Sequence, residues 1–82
     1  MNETEIYEKV VGLIKPYAKN TESLSTLTQE SKILEDLGVN SARLVDIVLA
    51  FEDEFDIEVE DEAADEIWTI GDAVKLINTK LN

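Results

Sequence analysis

Ser41 is the side chain in this 82-residue sequence best placed to do chemistry, and its surroundings limit what that chemistry can be. The chain contains no histidine and no cysteine. That removes the commonest general base, thiolate nucleophiles, disulfides and thiolate metal sites. Without an imidazole, a Ser-His-Asp triad cannot be assembled. Ser41 follows Asn40 and precedes Leu44, Val45, Ile47, Val48, Phe51 and Phe55, which recur at the offsets of a helix. A serine there lies on the last turn of a loop or the first of a helix, held by backbone and offered to solvent. Asn40 positions the serine and the helix start. Nothing nearby activates the hydroxyl, so a separate enzyme must attach whatever it carries. Taken without its flanking pattern, such a serine is usually only a cap.

Carboxylates are the second candidates. Asp46, Glu52, Asp53 and Glu54 line the polar side of the same helix, and ten of the fifteen residues from Glu52 to Glu66 are acidic. An EF-hand loop counted from Asp56 fails, because its glycine position is Asp61 and its closing glutamate position is Ile67. Weak divalent cation binding would relieve the self-repulsion of such a run, but a solvated face is its ordinary state. Acid–base catalysis by paired carboxylates needs a cleft that shifts a pKa and excludes water, and so small a bundle offers none. The chain is therefore expected not to be an enzyme, and no metal site is assigned. Functionally, Asp46, Glu52, Asp53 and Asp56 read as a docking surface for arginines and lysines of partner proteins, met by fast, salt-sensitive encounter.

The elements that must hold these residues follow from periodicity. Asn2 or Thr4 caps a first helix, Asn2 with Glu5 resembling a capping box, and Ile6, Val10, Leu13, Ile14 and Tyr17 mark its inner face. Pro16 would press on the carbonyl of Gly12, so the helix ends near Lys15 or kinks there. Residues 20–38 form a long connection, pinned by Leu24, Leu27, Ile33, Leu34 and Leu37, with room for one helical turn between Ser31 and Leu37. The second helix runs from about Ser41 to Phe55. Residues 56–61 alternate acid and apolar; lacking a partner strand, they read as a loop with Ile57 and Val59 turned inward. A short third helix is predicted from about Glu62 to Ile67. Thr69 and Asp72 have capping-box spacing for a fourth, reaching about Thr79, with Ile70, Ala73, Val74 and Ile77 inside. Trp68, with Ile67, reads as partial core or bundle rim. The expected fold is all-α: a small four-helix bundle with a long first loop and a short third helix.

Asp36-Leu37-Gly38, then Val39, the polar cap Asn40 and Ser41, resembles the attachment segment of acyl carrier proteins. The likeness continues through residues 51–59, Asp61-Glu62 and Ile67-Trp68-Thr69-Ile70-Gly71-Asp72-Ala73, and Leu27-Thr28 and residues 33–37 upstream fall at the family's spacing. It covers roughly residues 24–78. The resemblance implies that Ser41 carries a phosphopantetheine arm whose thiol holds acyl groups. It also implies that the core opens between the second and third helices to shelter an acyl chain. Leu44, Val48, Phe51, Ile57, Val59, Ala63, Ile67 and Ile70 would line that space, with small residues such as Ala63 and Ala64 leaving room. Two departures stand out: Asn40-Ser41-Ala42 replaces the family's usual Asp-Ser-Leu, and Arg43 stands where an acid is common. Asn caps about as well as Asp, so local geometry survives. What changes is charge on the turn that meets partners, Arg43 included, and this implies a specialised carrier rather than a housekeeping one. The alternative is an acidic helical adaptor that never receives the arm.

Length and charge set the remaining bounds. Eighty-two residues make one domain, 1–82, with a modest core. The net charge of −12 divides into −3 for residues 1–36 and −9 for residues 37–82. Such a field repels nucleic acid and anionic membrane and attracts basic patches on proteins. By the resemblance these partners are a phosphopantetheinyl transferase and acyl-transferring or acyl-modifying enzymes. No apolar run is long enough to span a membrane, and the N-terminus lacks the features of a signal peptide. A cytoplasmic monomer is expected.

Overall fold

The computed structural model describes residues 2–19 and 26–81. Helix α1 spans Glu3–Ile14, and the Asn2 side chain accepts the Glu5 N–H at 2.8 Å, settling which residue caps it. Ile6, Val10 and Ile14, four apart, form its buried stripe. The helix stops one residue before Lys15. Pro16 lacks an N–H and its ring opposes a further α-helical turn, so the chain tightens into a 3-10 turn, Lys15–Tyr17.

The long connection is tied down along its described part, residues 26–40; the expected anchor Leu24 lies outside the described residues. Ile33 and Leu37 are fully buried, and Leu27 and Leu34 pack against the core. One helical turn forms here, with the Asp36 N–H bonded to the Lys32 carbonyl at 2.9 Å. The segment also pairs with the start of the last helix. Ile33 N–H reaches the Trp68 carbonyl, Ile70 N–H reaches Ser31, and Gly71 N–H reaches Gln29, at 3.0, 3.0 and 2.8 Å. Lys32 and Thr69 form an antiparallel bridge between them. Gly71 is required by this approach, since a Cβ there would sit 2.8 Å from the Gln29 carbonyl oxygen.

Gly38 then turns the chain with φ 67° between two buried residues, Leu37 and Val39. Only glycine takes that conformation without strain, and the turn delivers Asn40 and Ser41 to the surface. A 3-10 turn, Ser41–Arg43, leads into helix α2, Leu44–Phe55. Asp56 ends α2 in the left-handed region (φ 53°, ψ 52°), and the Ile57 N–H returns to the Glu52 carbonyl at 3.1 Å. This closure is of Schellman type, in which a short polar side chain tolerates the left-handed position. Ile57 and Val59 then pack inward as half-buried residues.

Helix α3, Asp61–Ala64, starts one residue earlier and ends three residues sooner than the sequence suggests. Beyond it, Glu66 and Ile67 donate to carbonyls three residues back, Ala63 and Ala64, both at 3.1 Å. That tighter winding swings Ile67 into the core. Trp68, next along an extended stretch, faces the other way and is 67% exposed, so it is not core. Helix α4 spans Ile70–Leu81, two residues longer than expected. Its capping box is present: Asp72 N–H donates to Thr69 Oγ1, and Asp72 Oδ2 accepts the Thr69 N–H, each at 3.1 Å. Helix α1 packs chiefly on α4 and also on α2, around Ile47, Phe51, Ile70, Val74 and Ile77. Among the described residues the architecture is a small helical bundle of four α-helices, one of them a single turn.

Candidate functional site

Asn40 is what makes Ser41 available. Its backbone is extended (φ −67°, ψ 133°), and its side-chain Oδ1 accepts the Ala42 N–H at 2.9 Å. Its carbonyl accepts the Arg43 N–H at 2.8 Å. The capping duty therefore falls on Asn40. Ser41 lends only its carbonyl, to the Leu44 N–H, and its exposed hydroxyl makes no hydrogen bond among the described residues.

One side of Ser41 opens on a hollow of about 230 Å³ between α2 and the Val59–Asp65 segment that carries α3. Leu44, Val48 and Val59, three of the expected acyl-lining residues, form its wall together with Ala64. The others lie elsewhere. Phe51 and Ile70 are sealed in the core, Ile57 packs half-buried against it, and Ala63 and Ile67 line a separate hollow between α3 and α4.

Two further residues line the Ser41 hollow, and a single core-facing stripe does not account for them. Val45 is 64% exposed and Leu49 56% exposed, four residues apart on one face of α2. The spacing pattern placed Val45 in the helical period without assigning it to core or surface. The available signal was the width of the apolar band: Leu44, Val45, Ile47, Val48, Leu49 and Phe51 exceed what one buried stripe needs.

The charged residues divide. Arg43 Nη1 lies 3.2 Å from Asp46 Oδ2, so these two partly neutralise each other. Glu52 is half-buried, and its Oε2 accepts the Val59 N–H at 3.1 Å, tying the α2–α3 loop to α2. Asp53 and Asp56 are exposed. Lys80 Nζ holds both carboxylate oxygens of Glu60 at 3.0 Å, joining the end of α4 to the residue before α3. That hydrogen bond, helped by a backbone hydrogen bond and by the ammonium charge, keeps the Glu60 carboxyl below its ordinary value. Among the described residues, no three carboxylates converge to hold a metal ion.

Comparison with known proteins shows the family to which the chain belongs. A family profile described as "Phosphopantetheine attachment site" matches residues 8–77. The acyl carrier protein of Thermotoga maritima is 42% identical over 77 residues, covering 94% of this chain and 93% of that one. The chain belongs to the acyl carrier protein family. The acyl carrier protein of Phenylobacterium zucineum is 49% identical over 55 residues, 67% of this chain and 70% of its own. A solved structure of the acyl carrier protein from Enterococcus faecalis superposes with a TM-score of 0.80 at 32% identity, covering 98% of this chain and 99% of that one.

As a member, the protein is a carrier and not a catalyst, and its prosthetic group is covalently attached phosphopantetheine. The adaptor alternative, in which no arm is ever received, is thereby set aside. A free hydroxyl, exposed beside an apolar hollow, is chemically suited to that attachment. The carrier's role brings it to a phosphopantetheinyl transferase and to acyl-handling enzymes. No described helix is long and apolar enough to cross a membrane.

Proposed function

We propose that Ser41 is the attachment point and that the carrier delivers acyl intermediates to enzymes of fatty acid or related lipid or secondary-metabolite synthesis. One observation supports this most: the Ser41 hydroxyl is exposed, is relieved of capping duty by Asn40, and stands at the mouth of the hollow between α2 and α3. The attached group supplies a thiol that holds acyl units as thioesters on a long tether. The chain's own residues do the rest. Leu44, Val48, Val59 and Ala64 offer an apolar wall to a cargo chain. Small outward movements of α3 would bring Ala63 and Ile67, and behind them Phe51, Ile57 and Ile70, within its reach. Asp53 and Asp56, with Asp46 and Glu52 nearer the site, steer basic partner surfaces, and Arg43 selects among them. The carrier works as a cytoplasmic monomer.

Intact mass tests the attachment. Co-expression with a broad-specificity phosphopantetheinyl transferase, and separately with that of the native host, adds the mass of one prosthetic group to the wild-type chain and none to Ser41→Ala. Addition that survives Ser41→Ala would move the site elsewhere. No addition by either transferase would remove the reading.

A further inference from the structure

A second groove, of about 490 Å³, lies between the 3-10 turn after α1 and the turn that opens α2. Pro16, Tyr17, Ala18, Lys19, Asn40 and Arg43 line it. Its charge is opposite to that of its surroundings. The chain carries −12, and three other hollows among the described residues each contain at least one carboxylate: Glu66 and Asp72, Glu3, or Glu52, Asp61 and Asp65. Among the described residues lining this groove there is no acid and there are two cations. Lys15, on the same 3-10 turn, places a third close by. Of the chain's seven basic residues, two thus line this groove and a third lies on the 3-10 turn that forms one side of it.

We infer that this groove binds phosphate, with Lys19 and Arg43 as its cationic walls and Asn40 between it and Ser41. Arg43 suits the task. Its exposed pair with Asp46 engages one guanidinium nitrogen at 3.2 Å, and exposed pairs of this kind hold their partners weakly. The remaining donors form a planar fork that matches phosphate oxygens. Lys19 adds a mobile point charge, and among the described residues neither it nor Lys15 makes an ion pair. Tyr17, half-buried, gives the groove an aromatic wall. Two sources share the chemistry. One is the phosphodiester of the arm itself, which rests on Ser41 being the attachment point. The other is the phosphates of a free nucleotide, whose base Tyr17 would stack. Ser41 does not itself line the groove but adjoins Asn40, which does, so the arm's phosphodiester, bonded directly to Ser41 Oγ, would meet the groove only at its Asn40 edge.

The test begins with Ser41→Ala, which cannot receive an arm at that position, titrated with adenosine 3′,5′-bisphosphate, inorganic phosphate and adenosine while backbone amide resonances are followed. Adenosine 3′,5′-bisphosphate should move the amides of residues 17–19, 40 and 43. Lys19→Glu with Arg43→Glu should weaken that binding by about tenfold or more. Binding that persists in the double variant, shifts confined to other parts of the chain, or equal shifts from adenosine alone would overturn the inference. The loaded protein, with its arm confirmed by mass, separates the sources. If the nucleotide binds it about tenfold more weakly, and the double variant shifts the arm's phosphorus resonance, the phosphodiester occupies the groove. Unchanged nucleotide affinity assigns the groove to a free nucleotide. Failure of attachment appears in the mass and leaves the titration of Ser41→Ala intact, so the two readings fail separately.

Discussion

Replacing Asn40 and Ser41 by alanine, one at a time, separates the residue that shapes the site from the residue that works in it. Asn40 Oδ1 satisfies the Ala42 N–H at 2.9 Å, one of the donors a helix start leaves without an intrahelical partner. Removing such a cap costs about 1 kcal/mol, within a range of about 0.5–2. For a domain of this size that lowers the midpoint of thermal unfolding by about 4–8 °C. Ser41 caps nothing, and alanine is the better helix former, so Ser41→Ala should stay within about 0.5 kcal/mol of wild type. Asn40→Gly should cost only a few tenths of a kcal/mol, and Asn40→Asp should keep the cap. Asp would also place a favourable charge of about 0.3–1 kcal/mol at the helix start, offset in part by the chain's net negative field. The assay is thermal and urea unfolding of the four unloaded variants, followed by far-ultraviolet circular dichroism. If Ser41→Ala costs as much as Asn40→Ala, the hydroxyl is occupied as a cap, and its availability for attachment is lost as an argument.

Other outcomes follow from the packing and the loop pairing. Phe51 is fully buried where α1, α2 and α4 meet, so Phe51→Ala should cost about 3–5 kcal/mol by urea unfolding; a loss under about 1 would mean it is not in the core. Gly12 and Gly71 both lie in helices but should respond oppositely. Gly12→Ala meets nothing within 4 Å and should stabilise by about 0.5–1 kcal/mol. Gly71→Ala should instead destabilise, because its Cβ would displace the Gln29 carbonyl; faster hydrogen exchange at Gly71 and Ile33 would report the loosened pairing, and equal stabilisation of both variants would refute it. Lys80→Met tests the tie to Glu60. A carboxyl held below its ordinary 4.5 contributes stability above that pH and loses it as pH falls through the lowered value. The difference in thermal midpoint between wild type and Lys80→Met should therefore be present above pH 4.5 and shrink as the pH falls below it. A difference independent of pH would show that Lys80 acts through packing alone.

Much of this was legible before any coordinates. Local signals that need no distant partner appear as read: a cap at Asn2, one of the two offered, the stop at Pro16 and the Thr69–Asp72 box. They survive because each is written in the chemistry of a few neighbouring residues. The single helical turn at residues 32–36 and the inward set of Ile57 and Val59 followed from the same kind of reading. The misplacements all involve choices that depend on a remote neighbour. Helix α3 ends early because the chain must swing Ile67 inward and then offer the Trp68 carbonyl to Ile33. Once that backbone is committed, the Trp68 ring has nowhere to go but out.

The amino-acid order alone determined a small helical bundle with a serine at the head of an acidic helix, because period, caps and breakers act within a turn or two; the carrier role came from the family resemblance. The tertiary structure decided which apolar residues of α2 are core and which are surface. Leu44, Val45, Val48 and Leu49 are interchangeable as letters, and only the position of α1, α3 and α4 leaves Val45 and Leu49 uncovered beside Ser41. It also decided the charge on the two sides of the serine. Lys19 and Arg43 are 24 positions apart in the sequence and share a groove only because the fold brings the 3-10 turn after α1 beside the turn that opens α2.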